Sequence, residues 1–131
     1  MRFNCARKMN KFEVKEEMCI IQACFYGETK LEGFVKYFQV LDKMELSGKI
    51  RILHDHRKST PGMTPAELGV LADLLIKHLS KFEEVRIAYI SDTPKGIALA
   101  MLLKDQLSVV NMKTEIFSEE ASAITWLNLY A

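Results

Sequence analysis

The last third of the chain, residues 84–127, constrains the fold most because it contains the same pattern twice. An apolar strand over residues 85–90 leads through a turn into a helix that begins at Pro94, and a second strand over residues 112–117 leads into a closing helix. Strands that each lead into a helix favour parallel neighbours joined by right-handed crossovers. The sequence therefore predicts an α/β fold with a mostly parallel sheet.

The N-terminal part adds a hairpin to this pattern. Residues 11–15 alternate apolar and charged side chains, as a half-exposed strand does, and Glu16-Glu17 predicts a turn. Residues 18–25 form a more continuous apolar run, typical of a strand buried on both faces. We expect an antiparallel edge strand here, preceded by a loose terminal segment over residues 1–9.

Capping signals predict where the helices begin. Thr29 and Glu32 form one capping box, and Thr64 and Glu67 form a second with Pro65 at the first helical position. Asp92 or Thr93 is expected to cap the third helix and Ser118 the fourth, whose buried side chains are predicted to be Ala121, Ile124 and either Trp126 or Leu127.

A central strand through Ile50 and Ile52 is predicted to end at residues 54–57, before a loop over residues 58–63. The element order is then ββαβαβαβα. The connections are short and no linker interrupts them, so residues 1–131 are expected to form one domain.

Composition narrows the function classes. A net charge of +1 provides no large basic field for a nucleic acid or an anionic membrane, and no apolar run reaches the length of a membrane span. The three cysteines, Cys5, Cys19 and Cys24, lack the spacing of a disulfide framework or a zinc site. Cys19 and Cys24 are expected in the core, and the chain is expected to be cytoplasmic without a cofactor.

Three segments resemble one protein family. They are Ile52-Leu53-His54-Asp55 with Arg57, the strand Val85–Ile90 with its helix, and the closing stretch from Glu115-Ile116-Phe117 to Trp126-Leu127. Together they resemble the STAS fold of anti-sigma-factor antagonists and, more closely, the small bacterial STAS/SEC14-like family. The resemblance covers residues 10–128. It implies a STAS-like βα superhelix with neighbouring strands side by side.

One segment departs from that family pattern. Anti-sigma antagonists carry an Asp-Ser-Ser-Gly type segment with a phosphorylated serine, whereas residues 57–64 here read Arg-Lys-Ser-Thr-Pro-Gly-Met-Thr. Hydroxyl groups remain, but the motif is absent. The resemblance therefore implies a kinase-controlled switch only weakly.

Polar side chains gather where the strands of the predicted sheet end. The carboxyl ends of parallel strands line the usual binding crevice, and helix N-termini there favour an anion or a partner's acidic side chain. The candidate ligand or regulatory rim comprises Asp55, His56, Arg57, Ser59, Thr60, Thr64, Ser91, Asp92, Thr93 and Lys95, with Ser118 beside them.

His54 and His56 lie two residues apart with Asp55 between them. Such a group could bind zinc or transfer protons, but the third histidine, His78, belongs to the next helix. The simpler interpretation is a strand end with polar side chains. An enzyme would need this cluster to converge with Ser91 or Asp92.

The third helix is apolar around two full turns, which indicates a covered helix or one that awaits a partner. The candidate interaction surface comprises Ile97, Leu99, Met101, Leu102 and Leu103. We therefore expect a non-enzymatic STAS-like regulatory or scaffolding module that acts through protein–protein contact, with itself as a homodimer or with another protein. The alternative is a binder of a small amphiphile or lipid in a cavity between sheet and helices.

Overall fold

The computed structural model describes residues 12–17, 19–108 and 111–129. Within them the elements follow the predicted order ββαβαβαβα. The bounds are β1 Phe12–Glu17, β2 Ile20–Thr29, α1 Leu31–Asp42, β3 Lys49–Pro61, α2 Pro65–Leu79, β4 Glu84–Ile90, α3 Pro94–Gln106, β5 Met112–Phe117 and α4 Glu120–Asn128. Residues 1–9, which include Cys5 and were expected to form a loose segment, lie outside the described residues.

The five strands form one sheet in the order β1-β2-β3-β4-β5. β1 is antiparallel to β2, and every later pair is parallel. This is the predicted mixed sheet. The two edges are therefore β1 and β5, and the carboxyl ends of β2 to β5 meet at one rim.

Helices cover the two faces of the sheet unequally. The three-helix face packs against α1, α2 and α3, with Ile52 and Ile87 among its fully buried side chains. The single-helix face packs against α4, with Leu53 and Ala88 buried there. Because side chains alternate along a strand, neighbouring residues of β3 and β4 enter different cores.

The central strand β3 is longer than predicted. It continues through residues 58–61, which were expected to be a loop, because β2 also extends and pairs Gly27 with Ser59 and Thr29 with Pro61. The register between the strands shifts between Cys24 and Tyr26, where β3 holds one extra residue. This β-bulge bends the strand and lets the ladder continue.

Two of the four predicted caps are confirmed. Thr64 and Glu67 form the expected capping box, and the Thr93 hydroxyl accepts from the N–H of Gly96 at 3.1 Å. The Thr29 prediction is wrong: its hydroxyl donates to the carbonyl of Thr60 at 3.2 Å, so it joins two strands instead. The N-cap residue of α1 is Lys30.

The details predicted for α4 were partly wrong. Glu119 rather than Ser118 is the N-cap residue, and its side chain makes no capping hydrogen bond. The helix buries Ala123 and Leu127, whereas Ala121 is exposed. Helical spacing alone did not identify which face of so short a helix meets the sheet.

The cysteines also differ from expectation. Cys19 is exposed and has a φ of 64°, because it occupies the tight turn between β1 and β2. Cys24 is half-buried on the single-helix face, and burial raises the pKa of its thiol. Neither belongs to the core that an apolar run suggested.

Candidate functional site

A cavity lies at the carboxyl-end rim of the sheet, on the three-helix face. Its volume is about 60 Å³ and it opens to solvent on one side. We call it the rim cavity. Its lining residues are Thr29, Phe34, His56, Ser59, Pro61, Met63, Leu68, Leu71, Tyr89, Ser91, Thr93, Gly96, Leu99, Ala100 and Leu103.

The two sides of the rim cavity differ in polarity. The strands and their following residues contribute imidazole and hydroxyl groups, from His56, Tyr89 and Ser91. The helices contribute aliphatic and aromatic side chains, such as Phe34, Leu68 and Leu99. The arrangement suits a molecule with one polar side and one apolar side.

His54 lies beneath the rim, in the core. Its Nε2 is 2.7 Å from the Tyr37 hydroxyl, and the aromatic rings of Phe25 and Tyr89 contact it edge-on. Burial, and then the neighbouring His56, lower the pKa of His54 well below its usual value. Its Nδ1 has no hydrogen-bond partner among the described residues. This neutral imidazole is a structural group.

His56 faces the cavity in one defined tautomer. Its ring stacks on Phe25 with centroids 4.5 Å apart, and its Nδ1 is 3.3 Å from the Ser59 hydroxyl oxygen. Ser59 donates its one proton to the carbonyl of His56 at 3.0 Å, so Nδ1–H must be the donor to Ser59. Nε2 is then an acceptor. Burial lowers the pKa of His56 to about 4, so the ring is neutral at pH 7.

Asp55 lies on the opposite face of the sheet. Its carboxylate accepts from Arg57 through two guanidinium contacts, of 3.0 and 2.6 Å, and Arg57 also reaches Glu120 on α4 at 3.3 Å. Burial would raise the pKa of Asp55, but the hydrogen bonds from Arg57 outweigh it and hold that pKa below its usual value. The sheet therefore divides the predicted His54, Asp55 and His56 cluster.

The described residues contain no group of three or more His, Cys, Asp or Glu side chains that could hold a metal ion. His78 lies on α2, where Nδ1 is 3.1 Å from the Asp42 carboxylate and the ring stacks on Phe38. It is remote from the other two histidines, so the three do not converge.

Of the ten predicted rim residues, the structure brings four together at the cavity: His56, Ser59, Ser91 and Thr93. Asp92 and Lys95 are exposed, and Thr60 contributes its carbonyl to Thr29. Thr64 caps α2 outside the cavity lining. Tyr89 also lines the cavity but was not among the predicted residues, although its phenol hydroxyl is a polar atom in the otherwise apolar end of β4.

The predicted interaction surface on α3 contains both exposed and buried side chains. Met101 and Leu102 are 56% and 48% exposed, whereas Leu103 is only 4% exposed and belongs to the core. Leu99 lines the rim cavity and Ile97 is half-buried. Leu103 is therefore removed from the predicted surface, because its side chain packs inward.

A groove separates α3 from the edge strand β5 and has a volume of about 400 Å³. Lys104 crosses it to Glu115 at 2.7 Å. We call it the α3/β5 groove. Its lining residues are Ser91, Ile97, Met101, Lys104, Asp105, Glu115, Ile116, Phe117 and Ser118.

The profile of the SpoIIAA-like family matches residues 20–128 of the chain. The chain belongs to the SpoIIAA-like family. This confirms the resemblance carried by the strand ends and by the closing segment, and it leaves β1 outside the matched range. No curated protein matches the chain.

One solved structure with this fold is an uncharacterised protein of the DUF3478 family from Shewanella loihica PV-4, determined at 2.25 Å. It is 14% identical to this SpoIIAA-like chain, with a TM-score of 0.62 over 88% of this chain and 91% of that one. At this identity the likeness concerns the fold alone. In the part of the chain that the structure describes, no helix is long and apolar enough to cross a bilayer.

Proposed function

We propose that the protein is a non-catalytic, cytoplasmic regulatory module of the SpoIIAA-like type, which acts by protein–protein contact and whose first partner is a second copy of itself. The observation that carries the proposal is the edge strand β5. Within the described residues β5 pairs only with β4, so its outer edge offers main-chain groups to another strand.

The side chains of β5 are complementary to those of a second β5. In an antiparallel pair centred on Thr114, Lys113 lies opposite Glu115 of the second copy, and Met112 lies opposite its Ile116. A two-fold axis repeats each contact, as expected of an isologous dimer. Opposite charges and apolar side chains at facing positions both favour strand pairing.

The α3/β5 groove adds apolar surface beside this edge. Ile97 and Met101 line it, and the exposed Leu102 neighbours them on α3. Glu115 already accepts from Lys104, and a carboxylate has room for a second donor. The predicted interaction surface is therefore retained for Ile97, Met101 and Leu102.

Light scattering coupled to size-exclusion chromatography tests the proposal at micromolar concentrations. We expect a wild-type dimer, and Lys113→Glu should weaken it about tenfold because like charges then face each other twice. The double variant Lys113→Glu with Glu115→Lys restores opposite charges and should restore the dimer. Lys36→Glu, on the exposed side of α1, is the matched control.

A monomeric wild type would contradict self-association, and a dimer that is insensitive to Lys113→Glu would contradict the β5 edge. Circular dichroism of each variant shows whether the fold is kept. Leu103→Glu is unsuited to this test because Leu103 is core, so its failure would report unfolding.

The alternative function, an amphiphile or lipid binder, is favoured by the existence of the rim cavity between sheet and helices. Its volume of about 60 Å³ argues against an acyl chain. By comparison, an engineered apolar cavity of about 150 Å³ binds a single benzene. Native mass spectrometry of the purified protein tests this alternative, which requires a co-purifying lipid.

A further inference from the structure

Tyr89 places an unpaired hydroxyl in the wall of the rim cavity. The residue is 3% exposed, and its Oη has no hydrogen-bond partner among the described residues. A buried hydroxyl without a partner is costly, and native proteins satisfy nearly all such groups. An occupant of the cavity that accepts a hydrogen bond would supply what the protein lacks.

His56 adds an acceptor beside this donor. Its ring centroid is 6.0 Å from that of Tyr89, and its Nδ1 proton is engaged with Ser59. Nε2 therefore has a lone pair to offer. A hydroxyl group matches both partners, because it can accept from Tyr89 and donate to His56 at once.

The described walls of the cavity offer no counter-charge to a charged ligand. None of its described lining residues carries a formal charge. The N-terminus of α3 is also largely used: Pro94 has no N–H, Gly96 donates to the Thr93 hydroxyl and Ile97 donates to the Thr93 carbonyl. An anion would lose its hydration without a counter-charge, which disfavours phosphate or carboxylate.

The volume limits the size of the occupant. A single water requires roughly 10–15 Å³ of such space, and an engineered cavity of about 150 Å³ binds benzene. The rim cavity, at about 60 Å³, lies between these values and takes a molecule of a few heavy atoms. The helix side provides an apolar wall for its carbon chain, with Leu68, Leu71 and Leu99.

We propose that the rim cavity is a binding site for a small uncharged molecule bearing a hydroxyl group, of which a short-chain alcohol is the type. The hydroxyl bridges Tyr89 Oη and His56 Nε2, and the carbon chain packs against α2 and α3. This site contains no residue of β5 and shares only Ser91 with the α3/β5 groove, so its test is independent of the proposed dimer.

Titration with 1-propanol, followed through amide resonances in NMR spectra, tests the site. We expect saturable shifts centred on Ser91, Gly96 and Leu99. Acetone accepts but cannot donate a hydrogen bond, so it should bind about threefold more weakly, and propionate at pH 7 should bind at least about tenfold more weakly.

Tyr89→Phe removes only the hydroxyl and should weaken propanol binding about three- to tenfold. Tyr37→Phe is the matched control, because that hydroxyl contacts His54 in the same core but does not line the cavity. Leu99→Phe, at a half-buried lining position, should fill the space and abolish binding while the fold is kept.

Three results would overturn the proposal. Propanol shifts that do not saturate would mean that water alone occupies the cavity. An equal affinity of Tyr89→Phe and wild type for propanol would mean that the Tyr89 hydroxyl does not contact the ligand. Tighter binding of propionate than of propanol would mean that the site prefers an anion.

Discussion

The two faces of the sheet differ in how completely helices cover them. The three-helix face carries buried apolar side chains from all five strands, together with the neutral His54 and His56, and has a cavity at its rim. On the other face α4 packs on β3, β4 and β5, while β1 and β2 contribute to a polar groove of about 190 Å³. That groove is lined by Glu13, Lys15, Gln22, Ala23, Cys24, Tyr26, Leu53, Asp55 and Glu120.

The central strand β3 presents different chemistry to the two faces. His54 and Asp55 are adjacent in sequence, yet burial keeps the imidazole neutral while Arg57 keeps the carboxylate ionised. The charged residues stay on the side that water reaches. The neutral hydrogen-bonding groups are collected on the covered side, where an uncharged ligand could use them.

The largest expected difference concerns Ile52 and Leu53, fully buried neighbours on opposite faces. Ile52→Ala should lower the free energy of unfolding by roughly 4 kcal/mol, because three helices and the sheet hold the cavity open. Leu53→Ala should cost roughly 2–3 kcal/mol, because the single helix α4 can shift into the space. Urea denaturation measures both.

Val70→Ala, at a side chain 47% exposed on α2, is the control for this pair and should cost less than about 0.5 kcal/mol. An equal cost for Ile52→Ala and Leu53→Ala would mean that the two faces relax to the same extent.

The next largest effect is the pH dependence of stability, which should differ between the buried histidines on one face and Asp55 on the other. The pKa of His56 is lowered from 6.5 to about 4, and that of His54 is lowered in the same direction. Because the folded state resists protonation, stability is full above pH 6.5 and falls as the pH drops towards 4. We expect a loss of about 2–3 kcal/mol from His56 alone over this range.

Asp55 on the other face acts at lower pH, because its pKa lies below 3.8 and its contribution is lost only beneath that value. Urea titrations from pH 7 to pH 4 measure the loss for wild type and for His56→Gln. His56→Gln should flatten the profile. A wild-type stability that is constant from pH 6.5 to 4 would contradict the buried neutral imidazoles.

The smallest expected effect concerns the N-termini of helices α2 and α4, which lie on opposite faces of the sheet. Thr64→Ala should destabilise by about 1 kcal/mol, because the hydroxyl accepts from the N–H of Glu67 at 3.2 Å. Ser118→Ala should change stability by less than about 0.5 kcal/mol, because Ser118 is exposed and lies before the N-cap residue of α4. Thermal unfolding resolves the two, and a larger cost for Ser118→Ala would restore it as a cap.

Local patterns predicted the element order and the parallel sheet correctly. The βα repeat, the Thr64 capping box and the apolar strands are all encoded over a few residues, so no tertiary information was needed. The extension of β3 was missed because Lys58, Ser59 and Thr60 are polar. They form a strand only because Tyr26, Gly27 and Glu28 of β2 pair with them.

The candidate site was predicted only in part for a related reason. The predicted rim included His56, Ser59, Ser91 and Thr93, which line the cavity, but the sequence pattern could not distinguish the two faces of the sheet. A helix that is apolar all around has no periodicity to show which side chains turn inward. The exposure of Met101 and the burial of Leu103 follow from packing, which the pattern does not contain.

The extra residue in β3 changes which residues of the strand face the three helices. Before it, the even-numbered residues Ile52, His54 and His56 face the three helices, and after it the odd-numbered Ser59 and Pro61 line the cavity. If the same residues alternated without a bulge, Lys58 and Thr60 would turn inward, and a neutral pocket would acquire a buried ammonium group.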